Sequence, residues 1–228
     1  MAAPTFAATS AGYARLWSTM RVMPAKAPTV AAIGKRLAGH RARYDAVAAR
    51  AGPPWYWIAA VHELESGASF TRHLHNGDPL TDRTRQVPAG RPVAGNPPFA
   101  WEVSALDALR LKGLQNVPQW TISRCLYEFE RYNGFGYFGR INSPYVWSFS
   151  NHYSSGKYVA DHVFDPKAVS AQCGAAVIIQ ALGAVAAPIG PVMPDLFEPA
   201  GSPTVATPAK QNFIVDLWGM LWTWLSRK

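Results

Sequence analysis

The chain has 228 residues, 49% of them hydrophobic and 16% charged, which fits one domain of ordinary size with an appendage and excludes wholesale disorder. Its 22 Lys and Arg outnumber 14 Asp and Glu, a formal charge of +8, so a polyanionic partner is favoured. No run of five or six basic residues occurs, which argues against nucleic acid, and no stretch reaches the roughly 20 apolar residues needed to span a bilayer.

Residues 1–9 read as a flexible, small-residue terminus. From Gly12 to Met23, Tyr13, Leu16, Trp17 and Met20 recur at three- and four-residue spacing, predicting an amphipathic helix. Pro24 and Pro28 interrupt it. Thr29 then caps a longer helix, Val30 to Arg50, whose apolar positions Ile33, Leu37, Tyr44 and Val47 alternate with a basic, solvated face. Gly52-Pro53-Pro54 stops that helix, and Trp55 to Gly67 forms the most apolar helix of the chain. Ile58, Val61, His62 and Glu65 share a face there, so Glu65 projects from a buried side at the helix end.

Residues 68–100 change texture. Phe70–Leu74 and Thr84–Val87 look β-prone and are separated by Asn76-Gly77-Asp78-Pro79; Asn-Gly is a strong turn signal, and a small hairpin or irregular β-lobe is expected. Helix returns at Trp101–Leu111, with Ser104 and Asp107 off its apolar stripe, and again from Gln119 to Tyr132, stopped by Asn133-Gly134. Residues 138–166 read as a long aromatic loop, and Val169–Val185 as a closing buried helix. Together these elements predict an α+β, predominantly helical domain over residues 10–186. Residues 187–211 carry Pro188, Pro191, Pro194, Pro199, Pro203 and Pro208 and read as a linker.

The last segment, 212–228, places Phe213, Leu217, Met220, Leu221 and Trp224 on one helical face. About 14 apolar-rich residues at about 1.5 Å each reach only about 21 Å, short of a bilayer. Peripheral membrane contact through Phe213–Leu225 and docking on the domain or another subunit are both open readings. Cys125 and Cys173 lie far apart in sequence and read as buried free thiols rather than a disulfide.

Glu65-Ser66-Gly67 after an apolar helix, followed by a later helix ending Tyr132-Asn133-Gly134, resembles the goose-type lysozyme and lytic transglycosylase group. There, one helix ends in Glu-Ser and a later one in Tyr-Asn-Ala-Gly. The resemblance implies a lysozyme-like two-lobe fold, peptidoglycan glycan strands as substrate, Glu65 as catalytic acid, and Tyr132 and Asn133 lining the same cleft. It implies cleavage of the β-1,4 bond between N-acetylmuramic acid and N-acetylglucosamine, without a cofactor. The group's Gly-Leu-Met-Gln segment is missing; His73-Leu74-His75-Asn76-Gly77-Asp78 stands in its place, and hydrolysis and anhydro-sugar formation both stay open.

Glycosidic cleavage needs a proton on the leaving oxygen at a pH where a free Glu is ionised, and apolar surroundings supply it by raising the carboxyl pKa. Glu63, on another helix face, is the rival for that role. Asp78 is the first candidate for a second carboxylate and Asp82 the next. Thr81 and Thr84 are placed to position a water, His75 to contact sugar, and Tyr145 and Trp147 to offer aromatic faces to it. Two further readings compete. His62, His73 and His75, with Glu65 and Asp78, would supply ligands for a zinc amidase or endopeptidase, though the usual helical His pair four apart is missing. A non-catalytic glycan- or membrane-binding protein would rest on the aromatic loop and the tail. The N-terminus lacks the basic start and apolar core of a secretory signal, so a wall-acting enzyme of this type is expected to accumulate in the cytoplasm and leave through a holin-type pore, as a phage endolysin does.

Overall fold

A computed structural model describes residues 3–160 and 162–183. The linker and tail expected at 187–211 and 212–228 lie outside the described residues, as does the end of the predicted closing helix. The described part is mainly helical with one small sheet: α1 (Phe6–Thr19), α2 (Ala27–Gly39), α3 (Arg41–Ala51), α4 (Trp55–Ser66), α5 (Trp101–Leu111), α6 (Ile122–Tyr132), α7 (Pro144–Trp147), β1 (Lys157–Ala160), β2 (Val163–Asp165) and α8 (Ala175–Ala181). Among the described residues no helix is long and apolar enough to cross a membrane.

The domain is built around α4. Trp57, Ile58, Ala59, Ala60, Val61 and His62 are all fully buried, and a helix apolar on every face belongs in the middle. Trp57 stacks on Phe129 of α6 with ring centroids 5.0 Å apart and planes 4° from parallel, and its indole N–H donates to the Cys125 carbonyl. Truncating such a side chain costs on the order of 3–5 kcal/mol. α1 lies along α6, α3 along α4 and α5, and α8 against α2, α4 and α7. Cys125 and Cys173 are buried free thiols, as the sequence predicts.

Local chemistry sets most boundaries. Thr5 caps α1 by accepting from the Ala8 N–H, so the helix starts at Phe6 and takes in residues expected to fray. Thr121 caps α6 in the same way. The single helix expected over Val30–Arg50 is two, because the chain turns at His40, whose N–H bonds back to Leu37 and Ala38 carbonyls. α4 ends where Gly67 turns left-handed at φ 62°, a conformation that glycine adopts without Cβ strain.

The β-lobe expected at Phe70–Val87 contains no strand. Its one ladder-like contact is an isolated bridge between Arg72 and Pro79. The antiparallel pair lies instead at β1–β2, inside the stretch expected to be loop, with Lys157 opposite Asp165, Tyr158 opposite Phe164 and a register irregularity before Ala160.

What holds 68–100 in shape is a buried polar ladder. His73 Nε2 donates to the Asp82 carbonyl at 2.8 Å while its Nδ1 accepts from Ser104 of α5 at 2.7 Å. His75 Nε2 donates to Asp107 at 2.8 Å, and Arg91 grips both oxygens of the same carboxylate at 2.8 Å. Thr84 joins the far end of the segment: its amide donates to the Arg91 carbonyl, its hydroxyl accepts from the Arg91 amide, and that hydroxyl donates to the Pro88 carbonyl. The alternation of His73 and His75 that suggests a strand is the pattern of two side chains reaching for α5. Satisfying every buried polar group lets an irregular segment pack tightly without regular structure.

Candidate active site

Glu65 sits in the last turn of α4, partly open to solvent. Burial raises its carboxyl to about 7, against two opposing influences, a hydrogen bond from Tyr145 and the charge of Lys112. The carbonyl end of α4 adds partial negative charge nearby, which also disfavours ionisation. The Tyr145 hydroxyl donates to Glu65 Oε1 at 2.9 Å; Oε2 has no hydrogen-bond partner among the described residues.

Three separate elements set that geometry. The Gly77 turn lies against the end of α4, so close that a Cβ at position 77 would come within 2.8 Å of the Glu65 carbonyl oxygen, and Gly77 has φ +76°. α7 presents Tyr145; Pro144 starts this short helix and the Ser143 carbonyl accepts from the Val146 and Trp147 amides. α7 is in turn fixed by Gly174, where a Cβ would fall 2.4 Å from the Val146 carbonyl oxygen, so only glycine lets α8 approach. Lys112, just past α5, lies 5.0 Å above the Tyr132 ring and donates to the Tyr132 carbonyl at 3.5 Å. Desolvation lowers its own pKa, while Glu65 favours its charged form. Gln172 donates to the Leu64 carbonyl at 3.1 Å and ties the same helix end to the segment before α8.

The expected site residues separate into two groups. Glu65, Tyr145 and Tyr132 come together: the charge of Glu65 bears on both phenols and raises their pKa values beyond what burial does first. Tyr145, expected to meet sugar with its ring, instead is buried with its hydroxyl on the acid. Tyr132 is buried too; its hydroxyl donates to the Leu74 carbonyl at 3.1 Å and so fixes the segment that carries Gly77. Asn133 caps α6 through its backbone and is largely buried.

The others stand elsewhere. Asp78, expected as the second catalytic carboxylate, uses Oδ2 to accept from Asn76 Nδ2 at 2.9 Å and from the Arg85 and Gln86 amides at 2.8 and 3.2 Å. It is a loop-organising residue, as an Asx-type acid in a turn commonly is. Asp82 pairs with Arg85 at the surface. Thr81 is exposed. His75 is enclosed with Asp107, and Trp147 is 1% exposed and packs edge-on to His152; both rings are covered by protein. Glu63 is held by Arg36 at 2.7 and 2.8 Å, and the same guanidinium donates to the Gly67 carbonyl, closing α4.

The zinc ligand set is not assembled. His62 Nε2 donates to the Ser69 carbonyl and Nδ1 faces the Tyr44 hydroxyl at 3.0 Å; with burial lowering the ring to about 4, it is a neutral core histidine. His73 is occupied at both nitrogens, and burial lowers His75 to about 4. Among the described residues no three His, Cys, Asp or Glu side chains converge to hold a metal ion.

Lys112 and the Tyr145–Glu65 bond are the two features that sequence reasoning misses. A Lys closing an amphipathic helix carries no mark of where its ammonium lies, and Tyr145 reaches Glu65 across 80 residues of sequence. Comparison with protein-family models, with curated proteins and with solved structures finds no match.

Proposed function

We propose that the described domain is a lysozyme-like peptidoglycan glycosidase, with Glu65 as its single acid. One observation carries the reading: a partly exposed carboxyl, raised to about 7, keeps one oxygen on Tyr145 and leaves the other open. Such a group is protonated in a useful fraction near neutrality, which is what protonating a glycosidic oxygen requires. Asp78, the expected second carboxylate, is held by Asn76 and the Arg85 and Gln86 amides, so in this reading one residue takes both proton steps. Glu65 first gives its proton to the leaving oxygen as the C–O bond breaks. The resulting carboxylate, stabilised by the Tyr145 hydroxyl and the Lys112 charge, then takes a proton from the hydroxyl that attacks the anomeric carbon. That hydroxyl belongs either to water or to the sugar itself, giving a reducing end or an anhydro end.

The lysozyme-like organisation is part of the same proposal: a helical lobe around α4, and the irregular 68–100 segment as the facing lobe. The net positive charge of the chain suits an anionic wall polymer, reached from the cytoplasm through a membrane pore. The test is release of soluble fragments from purified peptidoglycan by the wild type and Glu65→Gln, with mass spectrometry of the products. Loss of at least about a hundredfold in rate is expected, the usual weight of a general acid. Undiminished activity in Glu65→Gln, or products cut in the peptide rather than the glycan, would overturn the proposal.

A further inference from the structure

A cavity lies beside Glu130 of α6, between α1 and the turns at 138–142. Its volume is about 490 Å³, within the range of small-molecule sites. Tyr13, Leu16, Glu130, Phe138, Arg140 and Trp147 line it. Glu130 is 5% exposed and, among the described residues, its Oε2 has no hydrogen-bond partner; the buried Tyr13 hydroxyl has none there either. The neighbouring acid on the helix, Glu128, takes both nearby guanidinium groups, Arg124 at 3.0 Å and Arg131 on its other oxygen. Those guanidinium groups serve Glu128, and burial alone acts on Glu130. A buried polar atom without a partner costs roughly 1–3 kcal/mol, and native structures retain few of them.

We propose that this cavity binds a small organic cation, a primary ammonium on a ring-sized apolar body, with its charge seated on Glu130. A carboxyl in the lining calls for donors, and an ammonium brings three donors and no acceptor. The exposed Phe138 ring in the lining can attract a cation and cover an apolar body. Arg140, the cation in the lining, is drawn aside over the Phe164 ring, 4.6 Å from its centroid. An anion would meet Glu130 instead of a charge partner, and a neutral alcohol would leave the carboxyl uncompensated when it ionises.

Binding is coupled to a proton. Burial holds Glu130 up at about 8, so near neutrality it is protonated when the cavity is empty and must lose that proton as the ammonium enters. The groups facing it are Tyr13 from α1 and Tyr137 and Arg140 from the turns after α6, while Trp147 from α7 brings no charge. Burial raises the Tyr13 phenol far out of the working range and the Tyr137 phenol to about 12, so Glu130 is the group that releases.

The probes are cyclohexylammonium and cyclohexanol, alike in shape and different in charge, titrated calorimetrically into the full chain. The wild type is expected to bind the ammonium at least about tenfold more tightly than the alcohol, the scale of a charge-assisted hydrogen bond. Repeating the titration near neutral pH in two buffers of different ionisation heat should show proton release. Glu130→Gln should abolish both the preference and the release, while Glu65→Gln keeps both, which separates this site from the proposed acid. Equal binding of the two probes, or a preference that survives in Glu130→Gln, overturns the proposal. Should Glu130→Gln fail to fold by circular dichroism, the wild type decides: ammonium binding without proton release overturns it as well.

Discussion

Replacing Tyr145 by Phe removes one oxygen from the molecule and leaves the ring that packs α7 in place. The phenol donates to Glu65 Oε1 at 2.9 Å, and a donor of that kind favours the charged carboxylate. A hydrogen bond to a charged group contributes about 1.5–3 kcal/mol, and about 1.4 kcal/mol corresponds to one pH unit of titration. Glu65 keeps some contact with solvent, so the lower end applies: in Tyr145→Phe its titration should move up by about one pH unit from the wild-type position of about 7. The assay is a carbon-13 NMR titration of the Glu65 carboxyl, assigned by its loss in Glu65→Gln, which needs no catalytic turnover. The alkaline limb of peptidoglycan cleavage should follow in the same direction, since a general acid fails as it ionises. Tyr145→Phe should therefore retain activity further into alkaline pH even if its maximum falls. A titration that stays in place or moves down would refute the assignment of Tyr145 as donor to the ionised acid.

Lys112→Met removes the other group that favours the carboxylate, and the same NMR titration should again move up, by less than in Tyr145→Phe. Glu130→Gln should change the pH dependence of stability. A carboxyl whose folded pKa is raised contributes stability fully present below the unfolded value of 4.5 and lost as pH rises through about 8, so urea unfolding should show the variant gaining on the wild type by on the order of 1 kcal/mol per pH unit across that window. Gly77→Ala forces a Cβ to 2.8 Å from the Glu65 carbonyl oxygen at φ +76°; it should cost roughly 2 kcal/mol in thermal or urea unfolding, and lower cleavage without touching the carboxyl. Asp107→Asn strips the charge from under Arg91 and His75 and should destabilise by about 3 kcal/mol, with amide exchange accelerating in 70–100 before the rest of the domain.

α4 and its acid are legible because their cause is local. A helix apolar from Trp55 to Val61, set between Pro54 and the left-handed Gly67, has one sensible place in a domain, and the last-turn Glu65 is carried there with it. The break at His40 is hidden, because Ile33, Leu37, Tyr44 and Val47 keep a helical spacing across it. The reading of 70–87 as strands fails for a related reason. Period-two alternation reports only that alternate side chains are buried, and His73 and His75 are buried by Ser104 and Asp107 rather than by a neighbouring strand. Asp78 misleads in the same way: an acid after Asn-Gly is a turn builder and a catalytic candidate by the same chemistry, and the amides of Arg85 and Gln86 decide for the turn.

Glu65 and Glu130 show why a raised carboxyl pKa does not by itself mark an acid catalyst. Desolvation is the leading cause in both, and the two end within about a unit of each other. Around Glu65, a phenol and an ammonium oppose that desolvation, so the charged form it must pass through is already supported, and one oxygen stays open for the proton to leave and return. Around Glu130 nothing opposes it: burial is the one cause of its shift, and among the described residues Oε2 has no donor. In the proposed cycle ionising Glu65 is a supported step, whereas below about pH 8 the proposed cation would have to draw the proton from Glu130. The difference lies in which neighbours reach each carboxyl: a phenol from α7 and an ammonium from the end of α5 oppose burial at Glu65, and burial acts alone at Glu130.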